Sequence, residues 1–187
     1  MAVFSFSNRT IMDKIVYDSL RTLKERINKD YYELINILSR HIREYSEYIK
    51  RKQHEANSYV IANLCEELTS HVQDYINSRV NTYLPYIDEL TEKELSGHNC
   101  NNCSEICNVQ HSVKLLDFRT SLSKVKSTFQ QLKVNVLKEY KEYSRDLKIL
   151  IDEIMLLDAL LNELFHIEEE HLLPGIMNAQ KNIHARN

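Results

Sequence analysis

The sequence predicts an all-α protein, an antiparallel up-and-down four-helix bundle in which residues 1–187 form a single domain. The chain has two Gly and two Pro in 187 residues, whereas average usage would give about 13 and about 9. Sandwiches, barrels and Gly-rich phosphate loops need many more such residues for their turns, which excludes these classes. Apolar residues recur instead at helical spacing in four segments of roughly 30 residues. Four amphipathic helices joined by short links pack best as an antiparallel bundle.

The first helix is predicted from about Thr10 to Gln53. Residues 1–29 form an N-terminal helical extension, with an interruption expected near residues 28–30. Beyond that point the expected core-facing stripe advances in steps of four and three residues. Its members are Leu34, Leu38, His41, Tyr45 and Tyr48.

The second helix is predicted to begin near Ser58, which can cap it, and to be kinked or ended by Pro85. Gly97 opens a Cys-rich loop over residues 96–108. The third helix then carries a heptad pattern of apolar residues, from His111 to Val136. The stretch 138–146 is charged and should contain the next turn.

The fourth helix is predicted from an apolar stripe that starts at Leu147 and ends at Phe165. Pro174 and Gly175 are expected to close its core-facing part, leaving a polar tail. Four acidic residues between Leu147 and Phe165 exclude a membrane-spanning helix.

Charge argues against nucleic acid as a partner, since the net charge is −3 and the pI is near 6.2. Basic residues do cluster between Arg40 and Lys52, and they are interpreted as a solvated helix face. The N-terminus has no pattern of a secretory signal, so a cytoplasmic location is expected.

Both even-numbered helices carry Leu-Pro-x-Ile, at Leu84-Pro85 and at Leu173-Pro174. This repeated motif and the sequence from His166 to His171 resemble motifs of the hemerythrin-like (HHE cation-binding) family. Within that family the closest resemblance is to the di-iron proteins of iron–sulfur cluster repair. The resemblance covers about residues 30–180. It implies a protein that binds non-heme iron and repairs or protects iron–sulfur clusters under nitrosative or oxidative stress. Iron–sulfur proteins would be its partners, and it would be a metal-binding protein more than a classical enzyme.

Counting back from the two prolines transfers the family ligands to this chain. Glu168 takes the position of a bridging carboxylate, and His41 and His111 match the single histidines of the odd-numbered helices. The other family ligand positions hold residues that are not typical iron ligands. They are Leu164, Tyr75 and Arg79.

A shifted alignment would supply other ligands. They are His71, His166, Glu170 and His171. A helical projection at 100° per residue disfavours this shift, because Glu168 lies within about 20° of the core direction while His166 lies roughly 150° away. The shift would require a π-bulge in the fourth helix.

The unshifted alignment predicts an inward polar layer of His41, Tyr75, Arg79, His111 and Glu168. One hypothesis is that Arg79 pairs with Glu168 where irons lie in other members, so that the protein is a metal-free relative serving as an interaction or sensory module. The alternatives are an Arg79 that extends to solvent, a retained metal, or a helical adaptor whose resemblance is accidental.

The Cys-rich loop offers a second candidate site. Its potential ligands are His98, Cys100, Cys103 and Cys107. Cys-x-x-Cys is half of a common zinc site, and the other two residues could complete a tetrahedral set. A redox-active thiol pair and an inert Asn-rich loop with reduced thiols are the alternatives.

Overall fold

The computed structural model describes residues 19–52, 56–98, 106–136 and 144–185, and within these ranges the chain forms four long helices and no strand. The first helix comprises Leu20–Ile27, a π-helical turn at Asn28–Tyr32, and Glu33–Lys52. The second comprises Ala56–Ser78, a π turn at Arg79–Tyr83, and Leu84–Leu95. The third is Ile106–Val136, and the fourth comprises Arg145–Ile167, a π turn at Glu168–Leu172, and Leu173–Ala185. The all-α prediction is confirmed.

The helix ends follow known capping chemistry. Ser19 is the N-cap of the first helix, and its side chain accepts a hydrogen bond from the Thr22 amide at 3.2 Å. Ser144 caps the fourth helix in the same way, accepting from the Leu147 amide at 3.3 Å. The second helix ends at Leu95 with Ser96 as its C-cap, and the following Gly97 has a φ of 69°, which suits glycine. There the Gly97 amide donates to the Glu94 carbonyl and the His98 amide to the Lys93 carbonyl, which is a Schellman motif.

Proline explains two of the three π turns in the described ranges. Pro85 and Pro174 each follow the last residue of a π turn by two positions. A proline cannot donate the usual helical hydrogen bond, and its ring crowds the carbonyl four residues earlier. A wider i→i+5 turn just upstream accommodates that crowding while the backbone remains helical. The predicted kink at Pro85 therefore takes the form of a π turn, and the helix continues through it to Leu95.

The core-facing stripes predicted for the later helices are largely confirmed. In the second helix the stripe from Ile61 to Leu90 is buried except Leu64, which is half-buried. In the third helix Phe118 to Leu132 are buried at the expected heptad spacing, and in the fourth all the predicted positions are buried. The second helix packs against the first and third, and the first also packs against the fourth.

The stripe predicted for the first helix is wrong by one residue beyond the π turn. The buried positions are Ile35, Ser39, Ile42, Ser46 and Ile49. Leu34 and Tyr48 are more than 40% exposed instead. The prediction is wrong because it follows the larger apolar residues, such as Leu34 and Tyr48, which lie on the exposed face of the helix. The observed stripe uses small serines between isoleucines, which allows the helices to approach closely.

The fourth helix does not lose its buried face at Pro174. It continues to Ala185, and Ile176, Ala179 and Ile183 are buried.

Of the predicted N-terminal extension, the part from Leu20 onward packs against segment 84–95, and Lys24 Nζ lies 2.5 Å from Asp88 Oδ1. Among the described helices, none is long and apolar enough to cross a membrane.

Candidate functional site

A charged pair lies at the centre of the helical core. Arg79 and Glu168 each begin a π turn, and each stands six residues before a proline. Their side chains are fully buried, with no exposed surface on either. Buried arginine and glutamate are rare unless they are paired, and here they are paired with each other.

The guanidinium binds the carboxylate through two donors. Arg79 Nε lies 3.1 Å from Glu168 Oε1, and Arg79 Nη2 lies 3.1 Å from Oε2. In this bidentate arrangement two parallel N–H groups donate to the two carboxylate oxygens. Such a pair is stronger and more directional than a single hydrogen bond.

The remaining polar atoms of the pair are bonded to the first and third helices. Tyr32 donates its hydroxyl to Glu168 Oε1 at 2.6 Å. Arg79 Nη1 donates to Ser121 Oγ at 2.9 Å, and Nη2 donates to the Phe118 carbonyl at 3.1 Å. Four of the five guanidinium N–H groups therefore have an acceptor. The network joins all four helices at one level.

Aromatic rings enclose the guanidinium. Its Cζ lies 3.6 Å from the Phe118 ring centroid, 4.3 Å from that of Tyr75 and 5.0 Å from that of Tyr83. The negative faces of these rings attract the cation and exclude water from it. Excluding water strengthens the attraction between Arg79 and Glu168.

Electrostatics keeps Arg79 charged and the nearby phenols protonated. Burial is the largest influence and opposes the guanidinium charge, but the charge and hydrogen bonds of Glu168 together with Tyr75 and Tyr32 outweigh burial, so the pKa of Arg79 is raised above its ordinary value. Burial first, and the negative charge of Glu168 second, raise the pKa values of Tyr32 and Tyr75 well above the usual phenol range. The Tyr75 hydroxyl is buried and has no hydrogen-bond partner among the described residues.

His41 does not join this layer, so its predicted inward position is wrong. It is 59% exposed, and its Nδ1 lies 2.9 Å from Glu153 Oε1. The physical reason is the stripe of the first helix, which places the neighbouring Ile42 in the core. The third helix contains His111, but the side chain of that residue lies outside the described part of the structure.

The residues of the shifted alignment also remain apart from the pair. A π turn is present in the fourth helix, but it begins at Glu168, so His166 upstream stays exposed. His71 is half-buried, with Nδ1 2.8 Å from Thr128 Oγ1. His171 is half-buried and packs edge-on against His166 at 6.4 Å between ring centroids, while Glu170 is exposed.

The Cys-rich loop falls largely outside the described residues. Cys100 and Cys103 lie there, and Cys107 belongs to the third helix with its side chain outside the description. His98 is described. Its Nε2 is buried and has no hydrogen-bond partner in the described part of the chain.

Sequence reasoning missed Tyr32 and Ser121. No periodic signal marks either residue, since Tyr32 follows another buried tyrosine inside a π turn. Ser121 is a half-buried residue beside the core stripe, with a hydroxyl that accepts from Arg79.

The residues of this centre do not fit a di-iron site. The Glu168 carboxylate already binds a guanidinium, and Leu164 and Tyr75 occupy the expected histidine positions. In the described part of the chain, no group of three or more His, Cys, Asp or Glu side chains could hold a metal ion.

Comparisons of the chain with protein families, with curated proteins and with solved structures find no match.

Proposed function

We propose that this chain is a relative of the hemerythrin-like bundles with no metal at its centre, and that it acts as an interaction or sensory module. Iron binding and iron–sulfur cluster repair, which the resemblance implies, are the competing proposal. The observation that favours the metal-free centre is the two-donor bond between Arg79 and Glu168, both without exposed surface.

Charge supports this choice. An arginine cannot give up its proton at accessible pH, so a divalent cation at Glu168 would meet a fixed positive charge in a water-poor site. The guanidinium supplies the positive charge that a bridging carboxylate otherwise obtains from metal. Removing it would leave a buried carboxylate that, in the described part of the chain, keeps the hydrogen bond from Tyr32 but has no counter-charge.

The antiparallel arrangement belongs to the same proposal and has support from pairs that join distant parts of the chain. Residues late in the first helix meet residues early in the fourth, as Lys52 meets Asp146 at 2.9 Å. Earlier in the first helix, His41 meets the later Glu153. Opposite trends in residue number along two packed helices are typical of antiparallel neighbours.

The closed centre argues against catalysis at this position. Arg79 and Glu168 have no exposed surface, so a substrate cannot reach them without unfolding the surrounding helices. A buried polar network of this kind specifies how four helices pack. We therefore assign the function of the protein to its outer surfaces.

Metal analysis tests the proposal. The full chain is expressed in iron-supplemented medium, and its iron content and visible absorption are measured beside those of Glu168→Gln. We expect iron far below stoichiometric in both proteins and no absorption of an oxo-bridged di-iron centre. A di-iron stoichiometry in the wild type that is lost in Glu168→Gln would overturn the proposal.

A further inference from the structure

A polar groove lies on the outer surface between the first and second helices. Its volume is about 480 Å³, and it is lined by six residues of the first helix, from Glu33 to Arg43, and by Thr69 and Gln73 of the second. Small-molecule sites in proteins have comparable volumes. This groove is separate from the buried pair, so ligand binding in the groove does not depend on whether the centre binds metal.

Two arginines of the groove have no carboxylate partner among the described residues. They are Arg40 and Arg43, three positions apart on one helix face. The next cations along the same helix are paired: Lys50 with Glu66 at 2.6 Å, and Arg51 with Glu47 at 3.3 Å. Within the groove the two guanidinium groups outnumber the one lining carboxylate, that of Glu33, so the groove carries net positive charge.

Ser39 contributes a buried hydroxyl without a partner. It lines the groove, is 3% exposed, and its Oγ has no hydrogen-bond partner among the described residues. Ser46, seven residues later on the same stripe, donates to the Arg43 carbonyl at 2.8 Å. A buried polar group of this kind calls for an explanation, and a ligand that accepts from Ser39 supplies one.

We propose that this groove binds a small molecule bearing a phosphate group. Two neighbouring guanidinium forks match the three oxygens and double charge of a phosphate monoester, whereas one fork already satisfies a carboxylate. The volume exceeds that of phosphate alone, and the amides of Asn36 and Gln73 line the remaining space. They can bond the hydroxyl groups of an organic portion.

Titration of the full chain tests this site. Inorganic phosphate, glucose 6-phosphate and glucose are titrated separately while backbone amide signals are recorded by NMR. We expect saturable shifts at amides 36–43 and 69–73 with both phosphates, tighter binding of glucose 6-phosphate, and no response to glucose. Absence of saturable binding by both phosphates, or weaker binding of glucose 6-phosphate than of inorganic phosphate, would overturn the proposal.

Matched charge variants separate a site from general attraction. Arg40→Gln/Arg43→Gln should weaken glucose 6-phosphate binding about tenfold or more. Lys50→Gln/Arg51→Gln removes the same charge from the same helix and should change affinity less than about twofold. An equal loss in both variants would show non-specific attraction and contradict the site. All four residues are solvent-exposed or half-buried, so folding should be retained, which circular dichroism checks.

Discussion

Breaking the Arg79–Glu168 pair from one side should destabilise the protein strongly. Glu168→Gln leaves the guanidinium charge buried without its counter-charge, and Arg79→Met does the same to the carboxylate. Neither side chain has exposed surface, so solvent cannot compensate, and each change should cost about 3–5 kcal/mol. In a chain of 187 residues, that corresponds to a fall in Tm of roughly 6–20 °C at about 2–4 °C per kcal/mol.

Removing both charges should cost less than removing one. In Arg79→Met/Glu168→Gln no uncompensated charge remains, and the buried glutamine amide keeps Tyr32 as a hydrogen-bond partner. The double variant should therefore be more stable than either single variant, which makes the two changes strongly non-additive. Urea unfolding followed by circular dichroism measures all four free energies.

The neighbouring residue provides the control. Glu169 is 48% exposed, and its carboxylate lies 3.1 Å from Lys126 Nζ on the surface. Glu169→Gln should change the free energy of unfolding by no more than about 0.5 kcal/mol. The reasoning fails if Glu168→Gln is as mild as Glu169→Gln, or if the double variant loses the sum of the single losses.

Three further predictions concern the phenols and the Cys-rich loop. Tyr32→Phe should destabilise by about 1.5–3 kcal/mol because it removes a bond to a carboxylate. Tyr75→Phe should cost less, because the Tyr75 hydroxyl makes no hydrogen bond of standard geometry with the described residues and only lies near the charges of Glu168 and Arg79. The reverse order in urea unfolding would contradict the network. Because both phenols have pKa values raised well above the ordinary 10.0, the stability they contribute is complete below about pH 10 and is lost as the pH rises toward their folded-state pKa values. Above about pH 10 the free energy of unfolding of the wild type should therefore fall with pH more steeply than that of Tyr75→Phe, by about 1.4 kcal/mol per pH unit. Equal slopes in the two proteins would refute this. Among the described residues the buried Nε2 of His98 has no hydrogen-bond partner, which favours zinc at the loop. Purified protein should then contain zinc that Cys100→Ser/Cys103→Ser loses, and equal zinc in both proteins would exclude the loop as the site.

The buried pair could be predicted from sequence because periodicity and the prolines agreed on it. The resemblance implies a bridging carboxylate six residues before each proline, which leads to Arg79 and Glu168, and the apolar stripes independently place both side chains inward. The structure brings them together as the hypothesis required.

The first helix could not be predicted as well. The π turn at residues 28–32 breaks the regular phase between the buried Leu23 and Ile27 and the segment after it, so the earlier positions do not indicate which face of that segment is buried. The serines of its buried stripe carry no hydrophobic signal, whereas Leu34 and Tyr48 do and are exposed. For that reason the apolar pattern places His41 in the core, and it gives no signal for Tyr32, which bonds Glu168.

The most direct measurement of the central claim is an anaerobic titration of the full chain with ferrous iron while the Arg79 Nε–H signal is followed by NMR. The arrangement of Arg79 and Glu168 predicts a signal protected from solvent exchange, unlike that of the exposed Arg51, and unchanged by excess iron. Stoichiometric iron binding that shifts or removes the Arg79 signal would show that metal displaces the guanidinium, and would contradict the claim that the pair takes the place of metal.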